Sequence, residues 1–196
     1  MTVSGVNRAA AVRQALRRLV ADNGFHGASM SAVAAEAGVA TGTAYTHYAS
    51  KDELVLAAYR ETKRELGAAA TDGLDSAAGP AQRFKLLWLA AYRHLAANRE
   101  HALFLLQVDC SPYRDEAHEA ALAGGADPLL REAASPDIAE RLLPLPLEVL
   151  YELGLAPAVR LAASAVELGD DELDAVAEAC WRAVTVSSRD IHVERR

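Results

Sequence analysis

Apolar residues recur every three to four positions through most of this chain, without sustained strand-like alternation, a pattern that predicts helices throughout. Ser29 or Ser31 supplies a helix-capping hydroxyl, and Val33, Ala34 and Ala37 then form one apolar stripe. Gly38 comes next, where a left-handed residue ends a helix most cheaply, and Val39 can plug the turn. Thr41 is the expected cap of a second short helix, Gly42 to His47. Ser50 caps a third, with Asp52 and Glu53 placed favourably for its dipole, running to about Ala70. The polar stretch Thr71–Gly79 interrupts the helices, and Pro80 opens the next, to about Ala97, with Phe84, Leu87, Trp88, Ala91 and Leu95 on one face. Further helices are expected over Arg99–Val108, from Ser111-Pro112 to Gly124-Gly125, and from Asp127-Pro128. Ser135-Pro136 and Pro144 break the helical pattern beyond that point. Two long helices, Pro146–Ser164 and Asp170–Ser187, precede a polar tail, Arg189–Arg196, expected to fray. No internal repeat or low-complexity tract appears.

The segment from Ser29 to Leu54 carries the chemistry. Two short helices, a glycine-bearing turn and a third helix give the geometry that pushes a helix into the major groove of DNA. The expected exposed residues of the second helix are Thr41, Gly42, Thr43, Tyr45, Thr46 and His47. All but the glycine can hydrogen-bond, and the glycine lets backbone approach closely. Lys51, at the next helix start, is well placed for a phosphate, and so is Arg8 near the chain start. A small helical hairpin with polar turns is the bland alternative.

Charge divides the chain. Residues 1–65 carry a formal +2 and residues 66–196 a formal −9, which together make the chain's −7. An acidic protein is ordinarily a poor nucleic-acid binder, but here the basic residues gather at the proposed DNA-binding end. Arg13, Arg17 and Arg18 read, one by one, as a solvated helix face. The small positive charge predicts a shallow dependence of DNA affinity on salt.

Hydrophobic content of 52% suffices for a sizeable core, and abundant alanine favours helix. The start MTVSGVNRAA lacks the apolar core of a secretory leader, and no apolar run reaches the roughly eighteen residues of a membrane span. A cytoplasmic protein is expected. Cys110 and Cys180 lack metal-site spacing and read as buried small apolar residues. His94, His101, Asp109, Cys110 and His118 form a loose set without the i, i+4 spacing of a helical zinc site, so no metal and no cofactor is expected. Gly124-Gly125 is not followed by the lysine of a phosphate cradle, and no Ser-His-Asp arrangement is readable. The chain does not read as an enzyme.

From about Asn7 to Ala58 the sequence resembles the N-terminal domain of the TetR family of transcriptional regulators. The matching pieces are Ala15-Leu16-Arg17-Arg18-Leu19-Val20, Gly24-Phe25, the capped helix 29–37, Ala37-Gly38-Val39, Gly42-Thr43-Ala44-Tyr45, His47-Tyr48 and Ser50-Lys51-Asp52-Glu53-Leu54. One departure is Ala44, where the family usually carries a bulky aliphatic residue. The resemblance implies an all-α protein, with a helix-turn-helix domain over 1–50 and a helical effector-binding and dimerisation domain over 51–196. In that reading Thr41, Gly42 and Thr43 lie nearest the bases, and Tyr45, His47 and Lys51 meet phosphate. Ser29 and Ser31 donate to phosphate at the preceding helix start, while Tyr48 packs. No arginine or asparagine in that helix offers a bidentate base contact, and threonine reads bases ambiguously.

The resemblance further implies that the last two long helices pair with those of a second subunit. Their apolar faces comprise Leu147, Leu150, Tyr151, Gly154, Leu155, Ala158 and Leu161, then Leu173, Val176, Ala177, Cys180, Trp181 and Val184. Taken alone, those faces suit a monomer core equally well. A short helix with weak base readers needs doubling, which favours a homodimer on palindromic double-stranded DNA. A small-molecule effector is expected in the helical body, with Trp88, Tyr92, Phe104, Gln107, Tyr113, His118 and Tyr151 as candidate lining. The resulting expectation is a homodimeric repressor released from its operator by that effector; the alternative is a helical carrier or enzyme that binds no DNA.

Overall fold

A computed structural model describes residues 3–123, 127–164 and 166–186. The expectations for Gly124-Gly125, for the helix end at Ser187 and for the tail fall outside them. The described residues are all-α: twelve helices and no strand, with one isolated bridge between Leu142 and Thr185. They divide into two compact units, Met1–Glu65 with Asn98–Ala126, and Leu66–Ala97 with Asp127–Arg196.

The first unit contains α1 (Val3–Gly27), α2 (Met30–Glu36), α3 (Thr41–His47), most of α4 (Lys51–Thr71), α6 (Arg99–Asp109) and α7 (Arg114–Leu122). Val12, Leu16 and Val20 of α1 and Val33 of α2 have no solvent exposure, nor have Leu54 and Val55 of α4 or Phe104 and Val108 of α6. α1 packs along α6 as well as against α2 and α3, so this unit reaches beyond residues 1–50. Gly24 breaks the regularity of α1 at φ 66°, a conformation nearly free for glycine and costly for residues with a Cβ. α7 starts later than Ser111-Pro112 suggested. Ser111 instead closes the turn after α6, its hydroxyl donating to Val108 carbonyl (2.8 Å) and accepting from Tyr113 N–H (3.1 Å).

The second unit contains the end of α4, α5 (Pro80–Ala97), α8 (Pro128–Ala133), α9 (Pro136–Ala139), α10 (Leu147–Gly154), α11 (Ala156–Ala163) and α12 (Asp170–Val184). Its core joins Trp88 and Leu89 to Ala158, Leu173, Ala177 and Cys180. One long helix over Pro146–Ser164 was expected; the chain forms two. Pro157 has no N–H to continue the ladder, and its ring crowds the carbonyl four residues back. Ala158 N–H therefore bonds Leu155 carbonyl at 3.0 Å, and the freed Gly154 carbonyl accepts the Trp88 indole N–H at 3.1 Å. Arg83, although buried, is fully engaged by Glu132 (2.7 Å), both Asp137 oxygens (2.9 Å) and Ser135 Oγ (3.1 Å). Cys180 is buried as expected, whereas Cys110, on the turn between α6 and α7, is exposed.

Candidate nucleic-acid interface

The mount of α3 is built from caps. Ser29 Oγ accepts Ala32 N–H at 3.2 Å and lies 3.0 Å from Ser31 Oγ, and both residues are exposed at the start of α2. After α2, Gly38 takes φ 65° and Val39 N–H returns to Ala34 carbonyl at 2.9 Å, turning the chain into α3. Val39 is half-buried in that turn. Ser50 Oγ caps α4 through Glu53 N–H (3.0 Å), and Glu53 reaches back to Ala49 N–H (2.7 Å).

α3 begins at Thr41 itself; Ala40 is the cap and offers no side-chain bond. Thr41, Gly42, Tyr45 and Thr46 are exposed, Thr43 and His47 half-buried, and Ala44 fully buried. The space beside Gly42 is open, so another backbone can approach there. Thr46 Oγ1 donates to Gly42 carbonyl at 2.8 Å, which leaves its oxygen to accept. Arg8 is exposed on α1. Lys51 Nζ donates to Phe25 carbonyl and sits 5.8 Å from the Phe25 ring centroid, closing the end of α1. An ammonium has two further donors to offer.

A buried polar cluster beneath α3 corrects the reading of Arg13 and Arg17 as a solvated face. Arg13 donates to Glu61 through Nε (2.8 Å) and Nη2 (2.5 Å), and Arg17 Nη1 donates to the same carboxylate at 2.7 Å. Burial alone would push the Glu61 carboxyl up, but the hydrogen bonds and charges of Arg13 and Arg17 outweigh it and hold the group below its ordinary value. The Glu61 bond in turn raises Arg13, against burial, with a smaller contribution from Tyr48. Tyr48, directly after α3, is buried; its hydroxyl accepts from Arg13 Nη1 and donates to Ala9 carbonyl at 3.3 Å. Arg18 alone of the three arginines remains on the surface, loosely paired to Glu100 at 3.4 Å and Glu36 at 3.8 Å. Sequence spacing ties Arg13 to Arg17, one turn apart, but gives no sign of a partner 48 residues away from Arg13.

The candidate effector residues are split between the units. Phe104 is sealed in the core of the first, and Gln107 is exposed there. Tyr113 meets the Phe25 ring at a tilt of 47° (5.0 Å between centroids) and donates to Asp52 at 2.7 Å; burial, then Asp52, pushes its phenol up to about 12. His118 bonds Asp109 at 3.0 Å and stacks on Tyr59 at 5.8 Å. In the second unit Trp88 stacks on Tyr92 at 6.0 Å, and Tyr151 is half-buried on α10. None of the seven lines a groove of about 270 Å³ bounded by Thr71, Leu74, Ser76, Pro128, Arg131 and Glu132. No cluster of three or more metal-ligating side chains occurs among the described residues.

The candidate interface residues of α10–α12 all lie in the second unit and divide by exposure. Gly154, Ala158, Leu173, Ala177, Cys180 and Val184 are buried within their own unit, where α5 covers them. Leu150, Tyr151, Leu155, Leu161, Val176 and Trp181 are half-buried, and Leu147 is 41% exposed. Leu145, Val149 and Leu153, which the spacing did not single out, are as open as Leu147.

Residues 12–58 match the family model described as bacterial regulatory proteins, tetR family, and residues 80–185 match the tetracyclin repressor-like C-terminal domain. A TetR-family transcriptional regulator from Haemophilus influenzae is 25% identical, with a TM-score of 0.75 over 94% of this chain and 100% of its own. A putative TetR-family regulator from a Shewanella species is 27% identical, with a TM-score of 0.74 over 92% of this chain and 99% of its own. One from Marinobacter aquaeolei, 20% identical, shares the fold with a TM-score of 0.77 over 95% of this chain and 100% of its own. Comparison with curated proteins gives no significant match.

Proposed function

Since this chain belongs to the TetR family of transcriptional regulators, DNA-binding proteins and not enzymes, we propose that it is a homodimeric repressor that leaves a palindromic operator when a small molecule binds. The observation that carries this reading is α3: a short polar helix, open along Thr41, Gly42, Tyr45 and Thr46, on a mount capped at every turn by Ser29, Gly38 and Ser50. Thr41, Gly42 and Thr43 face the bases. Tyr45, Thr46 and His47 meet the groove wall, while Ser29, Ser31, Arg8 and the spare donors of Lys51 hold phosphate. The dimer forms through α10 and α12, where Leu147, Val149 and Leu153 are open in the single chain and a second copy covers Val149 and Leu153, one turn apart on the same face of α10. An effector acts only through its different affinity for the operator-bound and released forms. Trp88, Tyr92 and Tyr151 are the candidate contacts of the second unit, and Phe104, Gln107, Tyr113 and His118 those of the first. No helix among the described residues is long and apolar enough to cross a membrane. As a bacterial regulator that acts on DNA, the protein works in the cytoplasm.

A gel shift with duplex DNA flanking the protein's own coding region tests the reading. Tyr45→Ala and Lys51→Ala should weaken all sequences alike, and Lys51→Ala should also lower the salt slope by about one. Thr43→Ala should change which duplex is preferred. Unchanged preference in Thr43→Ala would remove the base-reading role, and no shift with any duplex would remove DNA binding.

A further inference from the structure

α3 is held unusually lightly for an element that has to be aimed. It has seven residues, of which Ala44 alone is buried, and its cap supplies no side-chain bond. A helix of that length has almost no stability of its own, so its direction comes from what grips its ends. At the far end the grip is Tyr48. Its N–H holds Ala44 carbonyl at 3.0 Å, its ring is buried, and its hydroxyl lies between Ala9 carbonyl and Arg13. Arg13 cannot swing, because two of its other nitrogens bond Glu61, at 2.8 and 2.5 Å. A planar guanidinium held at two points has a fixed third direction. Glu61 is itself held by Arg17 at 2.7 Å. A chain of polar contacts thus runs from α4, through α1, to the residue that ends α3.

We propose that the Tyr48 hydroxyl, aimed by Arg13 and through it by Glu61, sets the pose of α3, making Tyr48 a positioning residue for DNA recognition that need not touch DNA. The inference rests on the DNA-binding reading above. Its lever is geometric. Thr41 lies about 10 Å along the helix from Tyr48, so a tilt of about ten degrees at Tyr48 carries the base-reading end roughly 2 Å. That is enough to break a hydrogen bond to a base edge, while phosphate contacts through long side chains adapt.

Duplexes selected by the wild-type protein from a random pool provide the probe. Tyr48→Phe keeps the ring and removes only the hydroxyl. It should lower affinity for the selected duplex by about tenfold and leave affinity for unselected DNA and the salt slope unchanged. Arg13→Lys keeps the charge beside Glu61 but not the fork, and should give the same loss. Tyr48→Phe/Arg13→Lys should be no worse than either single variant. Equal specific affinity in wild type and Tyr48→Phe would overturn the positioning role. An equal loss on selected and unselected duplexes would overturn it differently, making the hydroxyl a sequence-blind phosphate ligand. If instead the wild type selects no duplex at all, the DNA-binding reading itself has failed.

Discussion

Glu61→Gln is the substitution to which the first unit should be most sensitive. The change conserves shape but turns a carboxylate that accepts three charged N–H groups, at 2.5, 2.7 and 2.8 Å, into an amide with one acceptor and two donors of its own. Two guanidinium groups, with side chains 19% and 7% exposed, are then left facing each other without a counter-charge. Removing one member of a buried pair typically costs about 3–5 kcal/mol. Slight exposure of Arg13 argues for the lower end, about 3 kcal/mol, or roughly 6–12 °C in melting temperature for a chain of this size. Urea and thermal unfolding followed by far-UV circular dichroism measure it. Trp88 and Trp181 both lie in the second unit, so fluorescence tracked in parallel reports whether the units unfold together. The sign with pH is fixed as well. A carboxyl held below its ordinary value of 4.5 in the folded state contributes stability that is complete above that value and is lost as pH falls through the folded one. The gap between wild type and Glu61→Gln should therefore close in acid. A neutral-pH midpoint within about 1 °C of wild type would refute the reasoning, and so would a gap that widens in acid.

Three other outcomes are expected from the same structure. Gly38→Ala meets no neighbour but keeps φ 65°, so it should cost about 1–2 kcal/mol, read by urea titration, without altering base preference. Val149→Glu with Leu153→Glu should give a monomer in sedimentation with little loss of melting temperature, since the two residues, one turn apart on α10, are 39% and 41% exposed in the single chain. Native protein should offer one fast thiol to a disulfide reagent, Cys110, while Cys180, buried and pushed up by that burial, should react only on unfolding.

The helix-turn-helix was legible because its signals are local: a hydroxyl before a helix, a glycine after one, and apolar residues three to four apart. Ser29, Gly38 and Ser50 do in space what their positions suggest. What escaped was long-range. The partner of Arg13 lies on another helix, so a charged face on α1 looked solvated. The break at Leu155 escaped for a different reason, since Pro157 is tolerated in a first helical turn and its effect depends on where that turn begins. Periodicity alone also does not separate a face covered by α5 from one left for a partner, because both repeat every three to four residues. Ala158 and Leu147 share one apolar pattern, yet one is buried and the other open.

The Arg13–Arg17–Glu61 triad has a consequence for descent. A lineage that loses the acid first, or either base first, passes through a weakened ancestor, whereas exchange of all three for hydrocarbon side chains can be nearly neutral. Homologous genes should therefore inherit these three codons as a block, kept whole or replaced whole, with mixed sets rare.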